Sequence, residues 1–197
     1  MSDLNKIPSK DELTKLALNQ EYQIWYREDL QRWTNCKWEM MNYLKNWKNI
    51  RLFVKKSFLR MNVLKFEEDY KLLKSKLKNI IPNQWFIWVW IDVFAFCAPI
   101  WIKVDIISDK NTNYIVELLK KEPKLLKQLK FFIKCYEEFL NEWRVLDLYW
   151  TENLVISDDN KLYYLDSFLV FHDSKNVQEW SLNSFDFLKT LINEVNK

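Results

Sequence analysis

Apolar and polar residues alternate in short runs through the first half of the chain, a pattern typical of β-strands. Polar or turn-forming residues separate these runs. The segment Trp85–Ile107 is rich in aromatic and β-branched residues, which favours two or three further buried strands. The expected strands before it are Tyr22–Ile24, Lys37–Leu44 and Ile50–Val54.

The second half of the chain shows the 3.6-residue apolar spacing of amphipathic helices. Leu125–Leu140 has the strongest pattern, and Pro123 separates it from a shorter helix. Two short strands joined by a polar turn follow, which predicts a hairpin. The predicted helices are Val63–Leu77, Tyr114–Lys120, Leu125–Leu140 and one from about Ser184 to Val195, capped by Asn183 or Ser184, and the hairpin strands are Leu154–Ile156 and Leu162–Leu165.

Length and charge limit the classes of protein that the chain can represent. The 197 residues, 49% of them hydrophobic, suit one domain or two small lobes. A net charge of +3, with dispersed basic residues, does not indicate a nucleic-acid partner. Three widely spaced cysteines suit a reducing compartment. The polar N-terminus and the charges within Trp85–Ile107 predict no signal peptide and no membrane span, so we expect a cytoplasmic protein.

The composition has one anomaly: the chain contains no glycine and eleven tryptophans. A chain of this length would ordinarily contain about 14 glycines. Several tryptophans stand where glycine is expected. Trp47 lies between two predicted strands, and Trp143 follows the best predicted helix. Trp33 and Trp38 bracket a polar loop whose composition would suit a phosphate-binding turn.

These placements lead to the hypothesis that many of the tryptophans are glycines in the natural protein. Some bacterial lineages read the codon UGA as glycine, whereas a commoner alternative code reads it as tryptophan. The Lys-, Asn- and Ile-rich composition suits an AT-rich genome. The alternative is a chain that is rich in tryptophan and free of glycine. Codons at these positions distinguish the two.

Candidate chemistry lies at the end of the long helix. Asp147 follows it, Asn153 precedes the predicted hairpin, and Asp166 stands at the hairpin's exit. This order resembles the catalytic loop and metal-binding segment of the protein-kinase-like superfamily. The resemblance implies that Asp147 is the catalytic base and that Asn153 and Asp166 bind Mg²⁺.

The stretch departs from the kinase pattern at three points. Asn153 lies six residues after Asp147 rather than five, Val145-Leu146 replaces the usual His-Arg, and Asp166-Ser167-Phe168 lacks the glycine of D-F-G. The loop also resembles small bacterial and phage kinase-like proteins that read Asp-Leu-x-Gly-x-x-Asn. A glycine at Trp150 would complete that pattern.

The first half of the chain carries residues in the order of a kinase N-lobe. The resemblance implies that the loop between Trp33 and Trp38 contacts ATP phosphates. It also implies that Lys55 at the end of an apolar strand binds phosphate, with Lys56 as the competing candidate on the opposite face. Glu67 or Glu68 on the following helix would pair with that lysine, and residues 95–107 would form the hinge.

The resemblance therefore implies an α+β, two-lobed kinase-like fold, with a small mixed N-lobe sheet plus one helix and a reduced, mainly helical C-lobe. The expected divisions are an N-terminal arm or helix at 1–19, a nucleotide-binding lobe with hinge at 20–108 and a reduced C-lobe at 109–197. The implied function is phosphate transfer from ATP with Mg²⁺ to a hydroxyl of a small molecule, sugar or lipid-linked acceptor. The alternatives are an inactive kinase-like binding or scaffold protein and an unrelated α+β domain.

Overall fold

The computed structural model describes residues 11, 24–26, 36–45, 48–57, 60–89, 92–97, 100, 102–148, 153–165, 169–170 and 175–197. The chain divides into two compact units, Met1–Glu67 with Asn83–Ile100, and Glu68–Pro82 with Trp101–Lys197. Both helices and strands are present, so the expected α+β class is confirmed. Residues 101–108 group with the second unit, whereas the sequence placed the boundary after residue 108.

The first unit contains a five-stranded sheet in the order β1-β2-β3-β5-β4. All of its strand pairings are antiparallel, so the expectation of a mixed sheet is wrong. The reason is that two-residue connections join β2 to β3 and β4 to β5, and only antiparallel strands can be joined so tightly. The strands are β1 (Ile24–Tyr26), β2 (Cys36–Lys45), β3 (Lys48–Ser57), β4 (Gln84–Val89) and β5 (Asp92–Cys97).

Four α-helices are present among the described residues, each near a position predicted from apolar spacing. A 3₁₀ turn, Lys78–Ile80, follows the first of them. Pro123 occupies the first turn of the long helix, where its missing N–H costs nothing. The helices are α1 (Arg60–Leu77), α2 (Thr112–Lys121), α3 (Pro123–Asn141) and α4 (Lys175–Val195).

The predicted start of the last helix is wrong. α4 begins at Lys175, so Asn183 and Ser184 lie inside it and cap nothing. Ser181 is fully buried, and its hydroxyl accepts a hydrogen bond from the backbone N–H of Leu148 at 3.2 Å. Such tertiary contacts outweigh the weak helix propensity of the preceding residues, which a sequence pattern does not register.

The second unit contains a three-stranded antiparallel sheet in the order β6-β8-β9 and a separate pair formed by β7 and β10. The predicted β8–β9 hairpin is confirmed. Its turn is closed by a bond from the Ser157 N–H to the Lys161 carbonyl oxygen at 2.9 Å. The strands are β6 (Ile102–Asp105), β7 (Val145–Leu146), β8 (Leu154–Ser157), β9 (Leu162–Tyr164) and β10 (Leu169–Val170).

The apolar face of α3 lies at the centre of the second unit's core. Four of its seven predicted apolar positions are fully buried, namely Leu125, Leu129, Phe132 and Tyr136. The other three, Leu126, Ile133 and Leu140, are partly buried and pack against the same core. The Phe132 ring contacts those of Tyr136 and Tyr164, with centroids 6.3 and 5.9 Å apart. Tilted aromatic pairs of this kind add to the burial of apolar area. No helix in the described ranges has both the length and the apolar character needed to cross a membrane.

Replacement of Phe132 by alanine tests the importance of this aromatic cluster. We expect Phe132→Ala to lower the free energy of unfolding by about 3–5 kcal/mol, because it opens a cavity among fully buried side chains. Lys130→Ala is the control, since Lys130 is exposed on the same helix and its loss should change stability by less than about 0.5 kcal/mol. Urea unfolding followed by circular dichroism measures both. Equal effects of the two substitutions would contradict the assigned core.

Candidate functional site

Two buried tyrosines hold the backbone on either side of the bond that joins Leu146 to Asp147. The hydroxyl of Tyr136, on α3, donates to the Leu146 carbonyl oxygen at 3.1 Å. The backbone N–H of Asp147 donates to the hydroxyl oxygen of Tyr164, on β9, at 3.0 Å. Both tyrosines are fully buried, so each hydroxyl needs such a partner. The start of the Asp147 loop is therefore fixed by the core.

The following peptide group is bound from α4. The Leu148 N–H donates to the Ser181 hydroxyl oxygen at 3.2 Å, and both residues are fully buried. Three successive residues, 146–148, thus have backbone groups bound by side chains from three different elements. Because unpaired buried backbone groups are costly, these bonds hold the backbone of residues 146–148 in place.

Asn153 joins this loop to the hairpin that follows it. Its side-chain Nδ2 donates to the Asp147 carbonyl oxygen at 2.9 Å. Its own carbonyl oxygen accepts from the Leu165 N–H at 2.8 Å. Asp147, Asn153 and the residue immediately before Asp166 are thus brought together by hydrogen bonds. Asp166 itself lies outside the described residues.

The Asp147 side chain is in a largely dry environment, with 6% of its surface exposed. Its charge acts on the neighbouring phenol: burial, and after it the negative charge of Asp147, raises the pKa of Tyr136. Tyr136 is therefore held as a neutral hydrogen-bond donor beside the loop.

Only some of the polar atoms around Asn153 are suitable ligands for a hard cation such as Mg²⁺. Its amide nitrogen is engaged with Asp147, which leaves the amide oxygen as the atom able to bind a metal ion. Oxygen ligands of this type are what Mg²⁺ takes, together with carboxylates and phosphate oxygens. Across the part of the chain that is described, no group of three His, Cys, Asp or Glu residues could hold a metal. The carboxylate expected from Asp166 lies outside that part.

The residues expected to bind nucleotide fall on the first unit's sheet and on the helix after it. Lys55 is in β3, where it pairs with Trp38 of β2 and Ala95 of β5. Glu67 is half-buried and Glu68 is exposed, both on α1. The predicted order of strand, lysine, helix and glutamate is therefore present.

The loop predicted between residues 33 and 38 is too long at its C-terminal end. β2 begins at Cys36, so Trp38 is its third residue rather than the edge of a loop. The ten-residue pairing of β2 with β3 extends the strand beyond what the local sequence indicated. Trp33 and Trp150 lie outside the described residues. The expected hinge, 95–107, is divided between β5 of the first unit and β6 of the second.

Sequence patterns missed the three side chains that hold the loop. Apolar spacing places Tyr136 on the buried face of a helix and Tyr164 in a strand, but it indicates no bonding role for either hydroxyl. Ser181 lies outside the helix predicted from about Ser184. The one available signal was a tyrosine on a buried face, since its hydroxyl requires a partner. The partner cannot be identified from the sequence, because Ser181 is 33 residues from Leu148.

Comparison of this chain with protein-family models and with curated proteins gives no match.

Removal of the Tyr164 hydroxyl tests whether the core holds the Asp147 loop. Tyr164→Phe keeps the ring but leaves the buried Asp147 N–H without its acceptor, so we expect a loss of about 1–3 kcal/mol in unfolding free energy. Tyr163→Phe is the matched control, because Tyr163 is the preceding residue of β9 and is only half-buried. Equal losses of unfolding free energy for the two variants, measured by urea unfolding, would contradict the role of Tyr164 in holding the Asp147 backbone.

The pH dependence of stability provides a second test. The folded protein raises the pKa of Tyr136, so its stabilising contribution is complete below the ordinary tyrosine pKa of about 10 and is lost as the pH rises above it. We expect the unfolding free energy to fall more steeply between about pH 9 and about pH 11 in the unsubstituted protein than in Tyr136→Phe. Tyr114→Phe, at an exposed position, should keep the steeper fall. Parallel curves for all three proteins would contradict the assignment.

Proposed function

We propose that this protein is an ATP- and Mg²⁺-dependent phosphotransferase with a two-lobed, kinase-like fold. The order of elements supports the proposal. An antiparallel sheet bears Lys55 on its third strand, and a helix with Glu67 and Glu68 follows it. Three more strands come next, and then the helices that lead to the Asp147 loop. Kinases use this order of lysine, glutamate and catalytic loop.

The hydrogen bond from Asn153 Nδ2 to the Asp147 carbonyl oxygen is the observation that carries the proposal. It joins two residues that phosphotransfer requires together, one as base and one as metal ligand. Leu165, bonded to the Asn153 carbonyl oxygen, brings the chain back to the same place one residue before Asp166.

The roles follow from what each group can do. Asn153 and Asp166 would hold Mg²⁺, which supplies neutralisation of phosphate charge. Lys55 would bind phosphate oxygens, with Glu67 or Glu68 orienting its ammonium group. Asp147 would accept the proton of the acceptor hydroxyl. Because Asp147 is buried, a hydroxyl on a small molecule, a sugar or a lipid-linked group suits the site better than a folded protein does.

The alternative is a kinase-like protein that binds nucleotide without transferring phosphate. The burial of Asp147 and the six-residue spacing to Asn153 favour it, since both change how the carboxylate meets an acceptor. This protein would serve as a binding or scaffold module. An inactive protein of this kind would bind ATP but would not transfer phosphate, whereas the enzyme would do both.

Substitution of Lys55 tests the nucleotide site. We expect Lys55→Met to weaken Mg²⁺-ATP binding by about 10- to 100-fold, because a charge-assisted hydrogen bond to phosphate is lost. Lys56→Met is the control: consecutive strand residues alternate between the faces of a sheet, so its affinity should stay unchanged. Isothermal titration calorimetry measures both, with the present sequence and with glycine at positions 33 and 38.

Three outcomes of that experiment have distinct meanings. Selective loss in Lys55→Met supports the nucleotide site. Equal weakening by both substitutions, or no binding of Mg²⁺-ATP by either version of the protein, would overturn the proposal. If ATP binds, release of ADP in the presence of a panel of small hydroxyl acceptors separates the enzyme from the binding protein, and Asp147→Asn should abolish that release.

A further inference from the structure

Trp143 lies just beyond the C-terminal end of α3 and has a backbone conformation that glycine normally adopts. Trp143 has φ of 58°, in the left-handed region. The Arg144 N–H donates to the Phe139 carbonyl oxygen at 2.9 Å, and the Trp143 N–H donates to that of Leu140 at 3.0 Å. This pair of bonds is the Schellman termination, and its left-handed residue is usually glycine because a Cβ atom is unfavourable there.

The indole of Trp143 does not compensate for this unfavourable conformation by packing. It is 90% exposed, so it contributes little packing that would offset the unfavourable Cβ. Two other described residues have positive φ, Lys78 at 54° and Asn160 at 56°. Asparagine tolerates the left-handed region, whereas a bulky aromatic residue is a genuine outlier.

Not every tryptophan stands at such a position. Trp180 lies within α4 and is 60% exposed. Glycine at that point would weaken the helix, because it loses more backbone entropy on folding than other residues do. Among the described tryptophans, the backbone thus separates a position where glycine is favoured, 143, from one where it is not, 180.

We propose that the natural protein carries glycine at position 143, encoded by UGA and translated as glycine in its host. The argument depends on backbone geometry at the end of α3 and not on the proposed phosphotransfer. It therefore remains testable whether or not the protein binds ATP.

Stability measurements on the full-length chain test position 143. We expect Trp143→Gly to raise the folded-to-unfolded equilibrium constant by about 5- to 30-fold, because the left-handed conformation no longer conflicts with a Cβ atom. Trp143→Ala removes the indole but keeps Cβ, so it should give little of this gain. Trp180→Gly should lower the constant by about twofold. Equal stability of Trp143→Gly and Trp143→Ala would overturn the argument from geometry.

The gene and the native protein test the translation itself. The codon at position 143 should be TGA, and the peptide that contains it, isolated from the host, should have the mass that corresponds to glycine there. A TGG codon, or tryptophan in the native peptide, would overturn the proposal. Gene sequencing, peptide mass spectrometry and urea unfolding make these measurements without a functional assay.

Discussion

The phenol of Tyr164 links the apolar core of the second unit to the loop that bears Asp147. Its ring packs against Phe132 with centroids 5.9 Å apart, and its hydroxyl oxygen accepts the Asp147 N–H at 3.0 Å. A buried hydroxyl of this kind must be paired, so core packing and loop conformation are satisfied by the same residue. Tyr136 and Ser181 extend the arrangement to the neighbouring peptide groups, and Asn153 carries it to the hairpin.

If Asp147 acts as the proposed base, its burial has a physical reason. Catalysis by positioning requires groups that do not have to reorganise when substrate arrives. A loop held by side chains from α3, β9 and α4 meets that requirement better than an exposed turn would. The same burial limits the size of an acceptor that reaches Asp147, which links the proposed substrate class to the packing.

Much of this architecture is predictable from sequence, because it depends on local periodicity. The apolar spacing of α3 and the polar turn between β8 and β9 predict those elements near their observed bounds. The order of Asp147 and Asn153 predicts their association as well. The side-chain bonds that hold residues 147 and 148 are not predictable, because Tyr164 and Ser181 lie 17 and 33 residues from their backbone partners. Likewise, composition indicates missing glycine, but only φ at Trp143 assigns a position.

The most direct test of the proposed site uses Mn²⁺ in place of Mg²⁺ with ATP and observes side-chain amide signals by NMR. The Asn153 signal is assigned by its absence in Asn153→Ala. The account predicts that Mn²⁺-ATP broadens the Asn153 amide, whose oxygen would bind the metal, much more strongly than the exposed amide of Asn141. An Asn153 amide that remains sharp when the protein is saturated with Mn²⁺-ATP would contradict it.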